Sequence, residues 1–277
     1  MSFIFFGVLS AVFLWIKNVR FFILSYFALL FVSFYLGFID WVGLLGVVVL
    51  FFALKSYSLR DRFSLHSFLV VLVMGLLYGL HLMPGFEGFQ HSDGNSLSPN
   101  AAKFDIWFSL DKFNFGILFI FLVFRQELIS SFSQFFVAFI SVVYWAVPAI
   151  GFVYLLAVLI GYSQFDLTFD SVFFPWAVKN LFFTVLAEEV FFRGLIQREL
   201  FIRFGDKMDH LPVFLAGGLF GIAHFGGGLQ YVLLSAIAGV VYGYCYKISG
   251  RLEMAILAHF SLNSVHFLFF AYPHSVL

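Results

Sequence analysis

Ten long apolar runs, broken only by short polar connections, dominate this chain and decide what it can fold into. A bilayer-spanning helix needs about 20 mostly apolar residues. Candidate spans fall at 3–16, 21–39, 41–54, 68–83, 106–124, 135–162, 172–204, 211–225, 229–246 and 252–272. Of 277 residues, 62% are hydrophobic and 11% charged, whereas a soluble domain averages about 45–50% apolar and about 25% charged. A chain this apolar has no surface to offer water. Its 45 phenylalanines suit helices that face lipid. The sequence predicts an all-α fold, a polytopic transmembrane helical bundle of about 8–10 spans. The runs 3–16 and 41–54 are short enough to be tilted edge helices or interfacial segments, and Asp111 and Lys112 interrupt the fifth run.

The charges test this layout, because cytoplasmic loops carry the excess of Lys and Arg. Alternating loops hold Lys17 and Arg20, then Lys55, Arg60 and Arg62, then Arg125, then Arg203 and Lys207, then Lys247 and Arg251. The opposite loops hold only Lys103 and Lys112 as cations, with Asp40, Glu87, Asp93, Asp105, Asp166 and Asp170. Ten spans with both termini on the non-cytoplasmic side fit this pattern, and so do eight if two short runs do not cross. No basic residue precedes the first run, so it reads as a retained helix or an uncleaved signal-anchor. The expected location is the bacterial inner (plasma) membrane, with the lipid bilayer as its surroundings.

A net charge of zero shows no nucleic-acid footprint. The single cysteine, Cys245, sits in an apolar run and reads as a small buried hydrophobe. Residues 87–102 are polar and rich in Gly, Ser, Asn and Pro, a loop by composition. The expected organisation is 1–102, N-terminal transmembrane helices and polar loop, followed by 103–277, a C-terminal helical bundle with its core at 172–272.

Ionisable residues inside spans are expensive, about 2.5–3.5 kcal/mol each at a helix centre, so they mark function or internal pairing. The last four spans hold nearly all of them. In the seventh, Glu188, Glu189 and Arg193 lie mid-span; Glu188 precedes Arg203 by 15 residues, about 22 Å of helix. Glu189 and Arg193 stand at i, i+4, share a face and can pair. Glu188 points about 100° away, toward other partners. A carboxylate in an apolar cavity can serve as a general base near neutral pH. The eighth span ends Phe220-Gly-Ile-Ala-His224, followed by Phe225 and Gly226 to Gly228, which permit a sharp break. The tenth carries His259-Phe-Ser-Leu-Asn263, again i, i+4, with His266 on nearly the same stripe. Each set alone has an ordinary reading: an ion pair with Arg193 or Arg198, an interface histidine, an asparagine gluing helices together.

Together and in this order, the three sets resemble the signature of the CAAX prenyl protease and bacteriocin-processing (Abi) family of intramembrane glutamic peptidases. Its pattern is Glu-Glu-x-x-x-Arg, then Phe-x-x-x-His, then His-x-x-x-Asn. The resemblance covers about 172–272. It implies that Glu188 and His224 activate a water, that His259 and Asn263 donate to the oxyanion, and that Glu189 and Arg193 support the site. It implies a membrane protein or peptide as substrate and no cofactor or metal. His224 near the end of its short span requires that the eighth helix be tilted, re-entrant, or closed inside a hydrated cavity. Leu110-Asp-Lys-Phe-Asn-Phe-Gly116 belongs to none of these motifs, and the sequence assigns it no role.

Three other readings stay open. Two His and one or two Glu can make a zinc site with an open water position, although no His-Glu-x-x-His is present. Intramembrane Glu and His also occur in transporters and proton relays. A non-catalytic immunity or scaffold protein could keep the same residues for structure.

Overall fold

A computed structural model describes residues 2–59, 64–98, 101–205 and 207–274. Arg60 and Arg62, two of the basic-loop residues, lie outside the described residues, as does the side chain of Asp93. Every predicted span contains helix. In chain order the elements are α1 (Ser2–Trp15), α2 (Val19–Tyr35), α3 (Trp41–Ser58), α4 (Leu65–Gly79), β1 (Phe89–Asn95), β2 (Phe104–Phe108), α5 (Leu110–Phe119) and α6 (Phe132–Leu159). A helical run follows as α7 (Phe173–Asn180), α8 (Leu186–Glu189) and α9 (Arg198–Phe204), joined by π-helical turns at Leu181–Val185 and Val190–Gln197. Then come α10 (Leu211–Ala223), α11 (Gly228–Ser249) and α12 (Leu252–Phe269).

Among the described residues, four helices are long and apolar enough to cross a membrane by length and composition: Trp41–Ser58, Phe132–Leu159, Phe225–Ser249 and Leu252–Phe269. Shorter apolar helices are α1, α2, α4 and α10. The polarity is arranged for lipid. On α2, Phe27 and Phe31 are exposed at 65% and 70%, while Phe22, Ser25, Tyr26, Leu29 and Ser33 form the buried stripe. Ser25 donates its hydroxyl to the Phe21 carbonyl (2.8 Å), so the buried oxygen is satisfied within the helix. Helix α6 buries Ala138, Val142 and Ala146 at four-residue spacing, small residues that let a neighbour approach. The protein is an integral membrane helical bundle.

The polar stretch 87–102 is not wholly loop. Residues 89–95 form β1, which pairs with β2 in a two-stranded sheet. The composition hid this because the partner supplies the order: Asp105 accepts from the Gly94 amide (2.7 Å), and the Asn95 amide donates to the Phe104 carbonyl (3.3 Å). The predicted span 106–124 is corrected accordingly. Its first three residues belong to β2, and the helix starts after Ser109.

The chain forms two compact units. Unit 1 comprises 1–90, 107–130 and 178–191; unit 2 comprises 91–106, 131–177 and 192–277. In unit 1, α5 packs on α8 where Gly116 meets Leu186 and Ala187. A Cβ at Gly116 would lie 2.6 Å from Leu186 Cδ2 and 3.0 Å from Ala187 Cα, so only glycine permits this approach. Phe183 joins the same core through Phe113 (4.9 Å) and Phe108 (5.1 Å).

In unit 2, α10 and α11 form an antiparallel pair. Gly217 faces Gly239 and Val240, and Gly221 faces Val232 and Ala236. Helix α10 has 13 residues, about 20 Å, against about 30 Å for a hydrocarbon core. It turns back through a 3-10 turn at Phe225–Gly227, and Gly228 takes a positive φ of 86° to start α11. The glycines read from the sequence as a break therefore close a short helical hairpin. Cys245 is fully buried, as a small apolar side chain would be.

Candidate active site

The structure divides the motif residues between the units. Glu188 and Glu189 belong to unit 1; Arg193, His224, His259 and Asn263 belong to unit 2.

In unit 1, the two adjacent glutamates differ in access. Glu189 is fully buried, whereas the Glu188 side chain keeps 17% of its surface exposed. Lys112, from α5, places its ammonium 3.4 Å from Glu188 Oε1 and is itself 20% exposed. Lys179, two and a half turns earlier on the same helical run, interacts electrostatically with both Lys112 and Glu188. One residue before Lys112, Asp111 is buried. His81 Nδ1 lies 2.9 Å from its carboxylate, Ser109 donates to it, and the Lys112 amide donates to it at 2.7 Å. Both charges that interrupted the fifth span thus have partners inside unit 1.

In unit 2, the organising side chain is Phe220, the aromatic residue of Phe-x-x-x-His. The Arg193 guanidinium lies over its ring at 4.9 Å and over the Tyr242 ring at 5.3 Å. The His259 ring stacks on Tyr242 at 4.5 Å with 13° between planes, and meets Phe220 edge-on at 5.4 Å. The His224 ring lies 4.5 Å from Phe220. Arg193, His224 and His259 are therefore gathered around two aromatic rings. Cation–π contact favours the burial of a guanidinium.

Backbone carbonyls complete this arrangement. Arg193 Nη2 donates to the Gly239 carbonyl (2.7 Å), and Gln197, one turn on, donates to the Gly243 carbonyl (2.9 Å), one turn on along α11. Both acceptors are glycines, and at Gly243 an added Cβ would lie 2.8 Å from Gln197 Oε1. The ladder fixes the register of 192–197 against α11.

The histidines are oriented for different work. His224 caps α10, with Nδ1 2.7 Å from the Phe220 carbonyl. A carbonyl only accepts, so Nδ1 carries a proton and Nε2 is the nitrogen that can accept one. His259 is buried at 4% exposure, and Asn263 follows it by one turn on α12 with an intermediate exposure. His266 lies two turns from His259 among the rings of Tyr154, Phe270 and Tyr272. Among the described residues, no group of three or more His, Cys, Asp or Glu is placed to hold a metal ion.

Sequence reasoning did not find Lys112, Lys179 or Tyr242. The first had a signal, a lysine inside an apolar run, but its partner is 76 residues away. Tyr242 has none, since a tyrosine in an apolar span reads as packing.

Residues 170–265 match the family model described as type II CAAX prenyl endopeptidase Rce1-like. No curated protein and no solved structure gives a significant match. The matched segment runs from before α7 to within α12 and contains all three motifs. Over residues 170–265 the chain is similar to the CAAX prenyl protease family, a likeness that supports a CAAX-type intramembrane protease in general terms.

Proposed function

We propose that this protein is a glutamate-dependent endopeptidase that hydrolyses a peptide bond of a membrane-associated protein or peptide, in a bacterial plasma membrane. Glu188 and His224 hold and activate a water. Its oxygen bonds to the scissile carbonyl carbon while its proton passes to the Glu188 carboxylate. The carbonyl oxygen becomes an oxyanion that accepts hydrogen bonds from His259 and Asn263. Collapse of the tetrahedral intermediate breaks the C–N bond, and the proton held by the glutamate passes to the leaving amine. Glu189 and Arg193 hold the surrounding helices in place.

The observation that carries this reading is the gathering of Arg193, His224 and His259 around Phe220 and Tyr242. Packing alone does not require two histidines beside one aromatic ring. Preorganised donors contribute most when their orientation is fixed before reaction, and the Tyr242 stack fixes the His259 ring. Depth is consistent within unit 2. His224 lies about 20 Å along α10 from its start, and Asn263 about 18 Å along α12 from Arg251. The choice of Glu188 over Glu189 is supported by its residual exposure, because a base must reach water.

Comparing the membrane proteomes of cells with and without the active protein yields candidate substrates. The purified protein in proteoliposomes is then tested on them beside His224→Ala and Asn263→Ala. Loss of cleavage in both folded variants is expected. Undiminished cleavage by His224→Ala would remove that residue from the water-activating role.

A further inference from the structure

The segment Leu110-Asp-Lys-Phe-Asn-Phe-Gly116 lies outside the residues matched by the family model, yet it is buried almost throughout. Most of its members have an evident structural task. Asp111 is tied to His81, Ser109 and the Lys112 amide. Asn114 accepts from the Tyr26 hydroxyl and donates to the Leu110 carbonyl (2.7 Å). Phe113 and Phe115 pack into the core of unit 1. Gly116 allows α5 to touch α8 at Ala187. These contacts fix α5 in position and rotation.

Lys112 is the exception. It lies one turn before Gly116, and the Gly116–Ala187 contact brings its ammonium to Glu188, the residue after Ala187. The pair is largely covered, with 20% and 17% of the two side chains exposed. Removing one partner of such a pair leaves the other charge uncompensated. Four atoms of lysine stem held at this position also set where the carboxylate points. A glutamate side chain has three rotatable bonds. Fixing its oxygen within a fraction of an ångström is what a base acting on water requires.

We infer that Lys112 is a positioning residue for Glu188: its ammonium, presented by a rigidly anchored α5, holds the carboxylate in the place from which it acts on water. This rests on the reading of Glu188 as the base. The charged groups near the pair are Lys179 and Glu189 on the same helical run and Asp111 with His81 beside Lys112.

The test uses the full chain in proteoliposomes and a farnesylated peptide ending in a CAAX sequence as probe. Lys112→Met is expected to lower kcat by about 100-fold, as a small displacement of a reacting group does, with KM unchanged. Lys112→Arg, which restores a cation at the same place, is expected to recover most of the loss. A purely structural lysine would not give a kcat effect with parental KM and rescue by arginine. Parental kcat in Lys112→Met overturns the inference. Glu188→Gln separates the two claims. If it is inactive while Lys112→Met is not impaired, only the role of Lys112 falls; if it cleaves like the parent, the reading of Glu188 falls. A thermal-unfolding cycle over Lys112→Met, Glu188→Gln and the double variant needs no substrate. Coupled shifts are expected, and strictly additive shifts overturn the contact on which the inference depends.

Discussion

The two parts of the helical run 173–204 differ in how far they enclose intramembrane charge. In unit 1, Glu188 is met by a second formal charge, Lys112, and both side chains keep part of their surface open. In unit 2, Arg193 is completely enclosed and is met by the ring faces of Phe220 and Tyr242 and by the Gly239 carbonyl. The first arrangement leaves a carboxylate partly open to its surroundings; the second encloses a cation within the packing.

Substitutions separate these roles. The largest effect after loss of the base itself is expected at His259. Replacing it with alanine removes the ring stacked on Tyr242 and, in the proposed reading, an oxyanion donor. A kcat lower by about 10²–10³ is expected, with a small change in unfolding temperature; a large stability loss with normal turnover would move His259 to the structural side of the comparison. Arg193→Ala is expected to behave in the converse way. Emptying that volume and leaving the Gly239 carbonyl without its charged donor destabilises the protein by roughly 3 kcal/mol, read as a lowered unfolding temperature. Arg193→Lys recovers only part of this, because an ammonium lacks the planar face that stacks on two rings. Gly116→Ala tests the placement of α5. The Leu186 side chain can give way but the Ala187 backbone cannot, so a loss of about 1–3 kcal/mol is expected; a neutral outcome would show the two helices to be less closely set.

The smallest effect concerns the basic loops. Asp209, exposed, accepts a hydrogen bond from Lys247 (2.5 Å), which holds its carboxyl below the usual carboxylate range. A group with a lowered folded-state pKa contributes stability above its unfolded-state pKa and loses it as pH falls through the folded-state value. Asp209→Asn is therefore expected to unfold slightly earlier than the parent at neutral pH, with the difference vanishing in acid. A difference that grows on acidification would contradict the assignment.

How far the sequence could be read follows from the range of each interaction. Helices within spans were legible because their cause is local: an apolar run in lipid must satisfy its own backbone. The break after His224 was legible for the same reason, from three consecutive glycines. Strand β1 was not, since Phe-Gln-His-Ser-Asp-Gly-Asn has neither alternation nor strong β-propensity; its order comes from β2. The candidate site is named from its motif residues. Their surroundings were not legible. Tyr242 beneath His259 and Lys112 beside Glu188 are contacts between elements far apart in the chain, with no spacing rule to betray them.

The most direct test of the account is cleavage of a membrane-anchored peptide substrate by the purified parent and by Glu188→Gln, each with and without a strong chelator. The account predicts parental cleavage that is indifferent to the chelator and cleavage by Glu188→Gln reduced to background in a folded protein. Cleavage that survives in Glu188→Gln, or that the chelator abolishes in the parent, would contradict glutamate-dependent hydrolysis at this site.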